Sequence, residues 1–102
     1  MSEKVYTIEE IESKLSEVLD SQPVKKVILF GSYAKDSATP TSDIDLVIDS
    51  DGKLRGFALI KLICQIREKF QKELDCFERY EIVPESKVDN EIKDTGVVVY
   101  ER

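Results

Sequence analysis

The sequence predicts an α/β fold in which helices pack on a small β-sheet. Segments with apolar residues at helical spacing alternate along the chain with short runs rich in β-branched and aromatic residues. Proline, glycine or polar turn residues separate most of these segments. The length of 102 residues allows one hydrophobic core. Residues 1–102 are therefore expected to form one domain, without internal repeats or linkers.

The first helix is expected to begin at a capping box. The Thr7 hydroxyl is placed to accept a hydrogen bond from the backbone N–H of Glu10, whose side chain can reach back to the Thr7 backbone. Apolar residues then recur at helical spacing, which predicts a helix from Ile8 to Asp20. Ser21 to Pro23 is expected to end it.

Two strands are predicted on either side of a polar loop. The first is Val24 to Phe30, with the sequence VKKVILF, and Gly31 breaks it. Ser32 to Ser37 is expected to form a short helical turn. The second strand is Asp43 to Asp49, with the sequence DIDLVID.

A long helix and a third strand follow. The helix is predicted from Leu54 to Gln71, since five apolar residues mark one of its faces: Leu59, Leu62, Ile63, Ile66 and Phe70. The third strand is predicted from Leu74 to Val83, where Pro84 stops it.

The chain is expected to close with a short helix and a strand. Val88 and Ile92 have helical spacing, and Gly96 stands where a helix C-cap is expected. Val97 to Tyr100 is β-rich and predicts the closing strand. Every predicted helix is thus followed by a strand, as in a compact α/β architecture.

The composition excludes several classes of function. The formal net charge of −6 and the pI of about 4.7 disfavour a protein that coats nucleic acid. The absence of histidine excludes Ser-His and Cys-His catalysis and histidine-ligated metals. Cys64 and Cys76 lack zinc-binding spacing and are expected to be buried, reduced thiols.

The same sequence predicts a cytoplasmic protein. No apolar run approaches the roughly 20 residues of a membrane span. The N-terminal residues from Met1 to Lys4 lack the basic and apolar regions of a signal peptide.

Asp43 and Asp45 are expected on one face of the second strand. Strand side chains alternate, so the two carboxylates project to the same side, roughly 7 Å apart along the chain. A divalent cation would offset their mutual repulsion, and oxygen ligands favour Mg²⁺ or Mn²⁺. For the pair alone, a solvated edge strand is the alternative interpretation.

Gly31 and Ser32 follow the first strand and open a helical turn. Such a turn presents free backbone N–H groups, and glycine lets an anion approach closely. The alternative for Ser32 is helix N-capping. Ten residues separate Gly-Ser from Asp43, and this combination favours a metal and phosphate site over a solvated edge strand. N-capping by Ser32 is compatible with such a site.

The stretch GSYAKDSATPTSDIDLVID resembles the signature of the DNA polymerase β-like nucleotidyltransferases, and specifically of the minimal nucleotidyltransferase (MNT) group. The resemblance extends to the element order and to the closing TGVVVYE. It implies a mixed sheet flanked by helices, with Gly31 and Ser32 holding the β- and γ-phosphates of a nucleoside triphosphate. Asp43 and Asp45 would bind two Mg²⁺ ions.

The resemblance also implies a third carboxylate on a neighbouring strand. Asp75 occupies the matching place and would be both a catalytic residue and a metal ligand, with Glu73 as the rival. The alternative for Asp75 is an exposed strand residue without a role in the site. Where the family commonly has Ala-Arg-Gly, this chain has Ala34-Lys35-Asp36. Two interpretations are open for four other basic residues: they steer phosphate towards the site, or they belong to the ordinary solvated surface. The second is preferred. These residues are Lys25, Lys26, Lys53 and Arg55.

Three function classes follow. The preferred one is a metal-dependent nucleotidyltransferase that moves AMP from ATP to a hydroxyl of a protein or small molecule. Family analogy implies a helical HEPN-type partner, as in a toxin–antitoxin pair, and leaves homo-oligomerisation open. The alternative is a non-catalytic antitoxin that masks this partner, and an unrelated phosphoryl-accepting receiver ranks last.

Overall fold

The computed structural model describes residues 4–102. The expectation about a signal peptide at Met1 to Lys4 falls almost entirely on residues outside this range. Within residues 4–102, no helix is long and apolar enough to cross a membrane.

The sheet has four strands in the spatial order third, second, first, fourth. The strands are β1 (Lys26–Phe30), β2 (Ile44–Asp49), β3 (Leu74–Glu78) and β4 (Val97–Glu101). β1 pairs antiparallel with β2 and β4, whereas β2 pairs parallel with β3. The sheet is therefore mixed, as the family resemblance implies.

Within residues 4–102, one α-helix precedes β1 and three α-helices connect the strands, in the predicted order. They are α1 (Ile8–Leu19), α2 (Gly31–Ala34), α3 (Phe57–Phe70) and α4 (Lys87–Thr95). The capping box of α1 is present, with both the Thr7 and the Glu10 hydrogen bonds formed. The observed ends of α1 and α3 differ from the predicted ones by up to three residues.

The two faces of the sheet carry different cores. Leu29, Ile44 and Leu46 belong to the larger core, which also contains the apolar faces of α1 and α3. Phe30 and Val47, which alternate with them, point to the other face and form a smaller cluster with Ile92 of α4. Residues of β2 that lie an even number of positions from Val47 therefore have their side chains on the α4 side of the sheet.

The third strand is shorter than predicted. It ends at Glu78, and Arg79–Glu81 form a single 3₁₀ turn. The buried Glu78 carboxylate accepts hydrogen bonds from the Ser50 hydroxyl at 2.6 Å and from the Arg79 backbone N–H at 3.0 Å. These side-chain bonds end the strand, and the predicted extension to Val83 is wrong.

The two cysteines differ in environment. Both are free thiols, but Cys64 is exposed, so the expectation that it is buried is wrong. Cys76 is partly buried, and the pKa of its thiol is raised to about 12. Burial is the main cause, and the negative charges of Glu81 and Glu78 contribute less. Cys76 is thus protonated and unreactive at neutral pH.

Candidate active site

Asp45 and Asp75 are register partners on the parallel strands β2 and β3. Asp45 lies two residues before Val47 in β2, so its side chain is on the same face of the sheet, the face that carries α4. Asp75 is its register partner, so its carboxylate lies on this face as well. The pKa of Asp45 is raised to about 6, mainly by burial, next by the neighbouring Asp75 carboxylate, and least by the charges of Asp43 and Glu91. The structure therefore brings these two acids together at the start of their strands.

Gly31 lies against the carboxylate of Asp45. The last residue of β1, Phe30, is the register partner of Asp45, so α2 begins directly beside this acid. Gly31 has φ +72°, and a Cβ at this position would collide with Oδ2 of Asp45. Both the backbone conformation and the close approach require glycine here.

Ser32 lies inside α2 and does not cap it. The N-cap residue is Phe30, and it makes no side-chain hydrogen bond. The alternative that Ser32 acts as the N-cap is therefore wrong. The Ser32 carbonyl accepts a hydrogen bond from the Ser37 backbone N–H at 2.9 Å, which fixes the loop after α2. The Ser32 hydroxyl stays available beside Gly31 as the predicted phosphate donor.

Asp43 lies one residue before β2 and is exposed. It is near enough to raise the pKa of Asp45, although less than Asp75 does. Within the described range 4–102, no group of three or more His, Cys, Asp or Glu side chains is arranged to hold a metal ion. The structure thus assembles the pair Asp45 and Asp75, with Asp43 at its rim.

Glu73 and Asp75 lie in different surroundings. Glu73 precedes β3, is exposed, and its carboxylate accepts a hydrogen bond from the Arg67 guanidinium at 2.9 Å. Asp75 is also exposed, but it lies within the edge strand β3, opposite Asp45. Because Glu73 is engaged with α3, the geometry favours Asp75 as the third carboxylate.

The basic residues named as phosphate-steering candidates lie at the other end of the sheet. Lys26 pairs with Asp49, four residues along β2 from Asp45, or roughly 13 Å at 3.3 Å per residue. The others flank this far end: Lys25, Lys53 and Arg55. Their preferred assignment to ordinary surface agrees with this geometry, since they lie too far from Asp45 to contact phosphate there.

Lys35 and Glu91 border the site from two helices. Lys35 is the C-cap residue of α2, and its Nζ lies 3.8 Å from Oε1 of Glu91 on α4. Asp36 follows with a left-handed φ of 58°, which ends the helix. Sequence reasoning missed Glu91, since an acid on a short amphipathic helix carries no distinguishing signal.

A family model named "Nucleotidyltransferase domain" matches residues 8–98. The chain belongs to this nucleotidyltransferase family. A protein of Methanocaldococcus jannaschii named as a protein adenylyltransferase, MJ0435, is 34% identical over 68 residues, which cover 67% of this chain and 73% of that protein. The predicted membership of the nucleotidyltransferase superfamily is confirmed.

Solved structures confirm the nucleotidyltransferase fold. A chain of a toxin–antitoxin complex with AMP-PNP superposes with a TM-score of 0.73 at 20% identity, covering 89% of this chain and 73% of that chain. A complex of tri-AMPylated Shewanella oneidensis HEPN toxin with MNT antitoxin gives a TM-score of 0.68 at 18% identity, with coverage of 94% and 74%. At these identities the likeness concerns the fold.

The carboxylate pair of this nucleotidyltransferase is chemically suited to a hard divalent cation. Asp45 and Asp75 supply oxygen donors, and the pKa of Asp45 is raised by burial and then by the neighbouring Asp75 carboxylate, both of which a bound cation would offset. Mg²⁺ commonly takes only one or two protein carboxylates and completes its coordination with water and phosphate oxygens. The residues present therefore fit such an ion.

Proposed function

We propose that the chain transfers AMP from ATP to a hydroxyl group of a protein partner or a small molecule. The observation that carries the proposal is the contact of Gly31 with Asp45, which lies opposite Asp75. This contact joins a turn suited to phosphate with a pair of acids suited to a metal ion. The related protein adenylyltransferase and the fold neighbour solved with AMP-PNP support the choice of ATP.

In the proposed reaction, Gly31 and Ser32 hold the β- and γ-phosphates through backbone N–H groups and the Ser32 hydroxyl. Asp45 and Asp75 would hold Mg²⁺ or Mn²⁺, and Asp43, which lies at the rim of this pair, would complete the predicted ligand set on binding. When bound, these ions supply activation of the acceptor hydroxyl and neutralisation of the leaving pyrophosphate.

Asp75 orients the acceptor hydroxyl and takes its proton as the acceptor oxygen bonds to the α-phosphorus. The bond between the α-phosphorus and its bridging oxygen to the β-phosphate breaks, and pyrophosphate leaves with that oxygen. Since the acids and the glycine are held by strand pairing and close packing, positioning and charge provide most of the catalysis.

We propose a helical HEPN-type protein as the partner, with residues 1–102 acting as one nucleotidyltransferase domain in the cytoplasm. Support comes from fold neighbours that are toxin–antitoxin complexes, one of them with an AMPylated HEPN toxin. In this proposal the chain is the antitoxin and the partner carries the acceptor hydroxyl.

A second function is a non-catalytic antitoxin that neutralises the partner by covering it. The observation that favours it concerns Lys35, which occupies the position where the family commonly has arginine. The Nζ atom of Lys35 lies 3.8 Å from Oε1 of Glu91 and forms an ion pair with it. A lysine lacks the bidentate geometry with which arginine binds phosphate, so nucleotide binding would be weaker.

Thermal unfolding tests the proposed site. Mg²⁺ together with an unreactive α,β-methylene analogue of ATP should raise the melting temperature of the wild type, because a ligand that binds only the folded state stabilises it. The Asp43→Asn, Asp45→Asn double variant should lose this increment, while Asp94→Asn, an exposed substitution on α4, should keep it. An equal increment in the double variant would contradict the assignment.

A further inference from the structure

The edge strand β3 carries the proposed catalytic base. β3 is the outermost strand in the sheet order, so within residues 4–102 no strand lies on its outer side. Asp75 is the second residue of β3 and is exposed. Any acceptor whose hydroxyl reaches Asp75 therefore comes close to a free sheet edge.

The backbone groups that face this edge follow from the hydrogen bonds on the inner side of β3. The Ile44 backbone N–H donates to the Glu73 carbonyl at 3.1 Å, so the carbonyl of Glu73 points towards β2. Backbone groups alternate in direction along a strand, so those of Asp75 also point towards β2, whereas those of Leu74 and Cys76 point outwards. The two residues that flank the proposed base thus each present an N–H and a C=O to the outer side.

The open part of the edge is short and centred on Asp75. The next outward-facing N–H, that of Glu78, donates to the Glu81 carboxylate at 2.8 Å. This bond closes the far end of β3 to another strand. In the described part of the chain, the stretch that stays open runs from Leu74 to Cys76.

The opposite edge of the sheet is built differently. β4 is the other outer strand, and its pairing with β1 is irregular between Val27 and Ile28, as at a β-bulge. Bulges are a common way of preventing an edge strand from pairing with another chain. β3 instead pairs with β2 in continuous register from Leu74 to Glu78. The regular edge, which can accept a further strand, is thus the one that contains Asp75.

The surroundings of this edge are acidic. Glu73, Asp75 and Glu81 are all exposed, and the Arg67 guanidinium pairs with Glu73 at 2.9 Å. Negative charge therefore predominates along the edge even when Arg67 is counted. Basic side chains on a segment that binds here are complementary to this charge.

We propose that β3 is the docking edge for the acceptor, which binds as an added strand: an extended polypeptide segment that carries a Ser, Thr or Tyr residue and neighbouring basic side chains. Its backbone pairs with the outward groups of Leu74 and Cys76. The residue opposite Asp75 has its side chain on the same face of the sheet, with the two Cβ atoms roughly 5 Å apart. A hydroxyl-bearing side chain at this position lies beside the carboxylate.

The inference rests on the proposed function and deepens it, since it selects a polypeptide over a small molecule as the acceptor. The transfer step is the one described above. The hydroxyl oxygen bonds to the α-phosphorus, its proton passes to Asp75, and pyrophosphate leaves. The added strand supplies the position of the hydroxyl, which is a large part of what such a reaction requires.

The test uses ATP labelled at the α-phosphate, Mg²⁺ and a library of nine-residue peptides with a central Ser, Thr or Tyr between randomised positions. The wild type should label the central residue and prefer peptides with Lys or Arg near it. Cys76→Pro removes an outward N–H but no hydrogen bond to β2, and proline is tolerated on edge strands. It should lower kcat/KM for the best-labelled peptide about tenfold, through a higher peptide KM.

The matched control is Cys76→Val, which keeps the backbone N–H and suits a strand. It should leave the peptide kcat/KM unchanged. Both variants should keep the melting-temperature increment from Mg²⁺ with the α,β-methylene analogue, because neither alters Gly31 or Ser32. Equal peptide kinetics in Cys76→Pro and Cys76→Val would overturn the proposal.

N-methylated peptides test the same pairing on the wild type, and they decide it even if Cys76→Pro fails to fold. In an added strand, only every second amide faces β3. Methylation of successive amides in the best-labelled peptide should therefore alternate between little effect and a loss of about tenfold in kcat/KM. Losses that do not alternate would overturn the proposal.

The proposed function can fail separately. If the wild type labels N-acetyltyrosinamide or the intact proposed partner but no library peptide, the proposed function stands and docking at β3 fails. If it labels none of these acceptors, the proposed function fails and the docking role of β3 fails with it.

Discussion

Asp45 of β2 and Asp75 of β3 are register partners in a parallel strand pair, on the face of the sheet that α4 covers. Two acids in this position repel each other, and burial adds to the cost of ionising Asp45. An exposed acid such as Asp75 is ordinary on the edge strand β3, whereas a fold that only needed stability would place an apolar or neutral side chain at the half-buried position of Asp45. The arrangement is therefore typical of a functional site that is stabilised by its ligand.

Asp45→Asn should stabilise the ligand-free protein near pH 7.5. The folded state binds the Asp45 proton with a pKa of about 6, against an ordinary value of 3.8. Stability is therefore lost as the pH rises from about 4 to about 6; the full penalty applies above about pH 6, and it is absent below about pH 4, where the carboxyl is protonated in both states. We expect a gain of about 1–3 kcal/mol at pH 7.5, toward the lower value because Asp45 is only half-buried.

Urea unfolding in EDTA, at pH 7.5 and at pH 4, measures this gain in the free energy of unfolding. The gain should disappear at pH 4, and Asp94→Asn should show no comparable difference between the two pH values. A destabilised Asp45→Asn protein at pH 7.5 would show that the carboxylate has a favourable partner in the fold.

Gly31→Ala should destabilise the protein more than Gly56→Ala does. Both glycines have positive φ, at +72° and +57°, so both substitutions cost about 1 kcal/mol in backbone conformation. Only at Gly31 does the new Cβ collide with a side chain, Asp45, whereas nothing lies within 4 Å at Gly56. We expect about 1–3 kcal/mol of additional destabilisation, together with loss of triphosphate binding.

The Gly31→Ala, Asp45→Ala double variant tests whether the collision with Asp45 causes the additional destabilisation at Gly31. Asp45→Ala removes the colliding carboxylate, so in that background Gly31→Ala should cost no more than Gly56→Ala. Chemical denaturation measures the wild type, the two single glycine variants, Asp45→Ala and the Gly31→Ala, Asp45→Ala double variant. A cost at Gly31 that is equally large with and without the Asp45 carboxylate would refute the close contact as its origin.

Asp75→Asn should reduce nucleotidyl transfer far more than triphosphate affinity. We expect a rate loss of about 10²–10⁴, the usual contribution of one acid–base group. Glu73→Gln is the matched control, since Glu73 is engaged with Arg67 at 2.9 Å. Single-turnover rates and analogue affinities distinguish the two effects. Wild-type transfer by Asp75→Asn combined with a defect in Glu73→Gln would reverse the assignment.

A cell-protection assay distinguishes an antitoxin that transfers AMP to its partner from one that only covers the partner. If the chain acts by AMP transfer, Asp45→Asn should still co-purify with the proposed HEPN-type partner but should fail to protect cells that express it. Growth with both proteins induced, alongside co-purification, provides the measurement. Full protection by Asp45→Asn would favour the masking antitoxin.

The sequence predicts the element order and most of the site because both rest on local patterns. The capping box at Thr7 and the apolar stripe of α3 each depend on residues that are close together in the sequence, and both are found in the structure. The Gly-Ser turn and Asp45 meet because antiparallel pairing places Phe30 opposite Asp45. Strand parity alone predicts which face the acids share.

Features that depend on distant contacts were not predictable. The third strand ends at Glu78 because its carboxylate bonds with Ser50, 28 positions earlier in the chain. Glu91 reaches the site through the packing of α4 on α2, which no local pattern encodes. Gly96 is the C-cap of α4, yet its φ is −62°; glycine is needed because a Cβ would collide with the Ile92 carbonyl.

The most direct measurement of the central claim is label transfer from ATP to the proposed partner, with ATP labelled at either the α- or the γ-phosphate. The account predicts that wild-type protein with Mg²⁺ transfers the α-label and not the γ-label, and that Asp45→Asn and EDTA each abolish the transfer. Transfer of the γ-label, or undiminished α-label transfer by the Asp45→Asn, Asp75→Asn double variant, would contradict it.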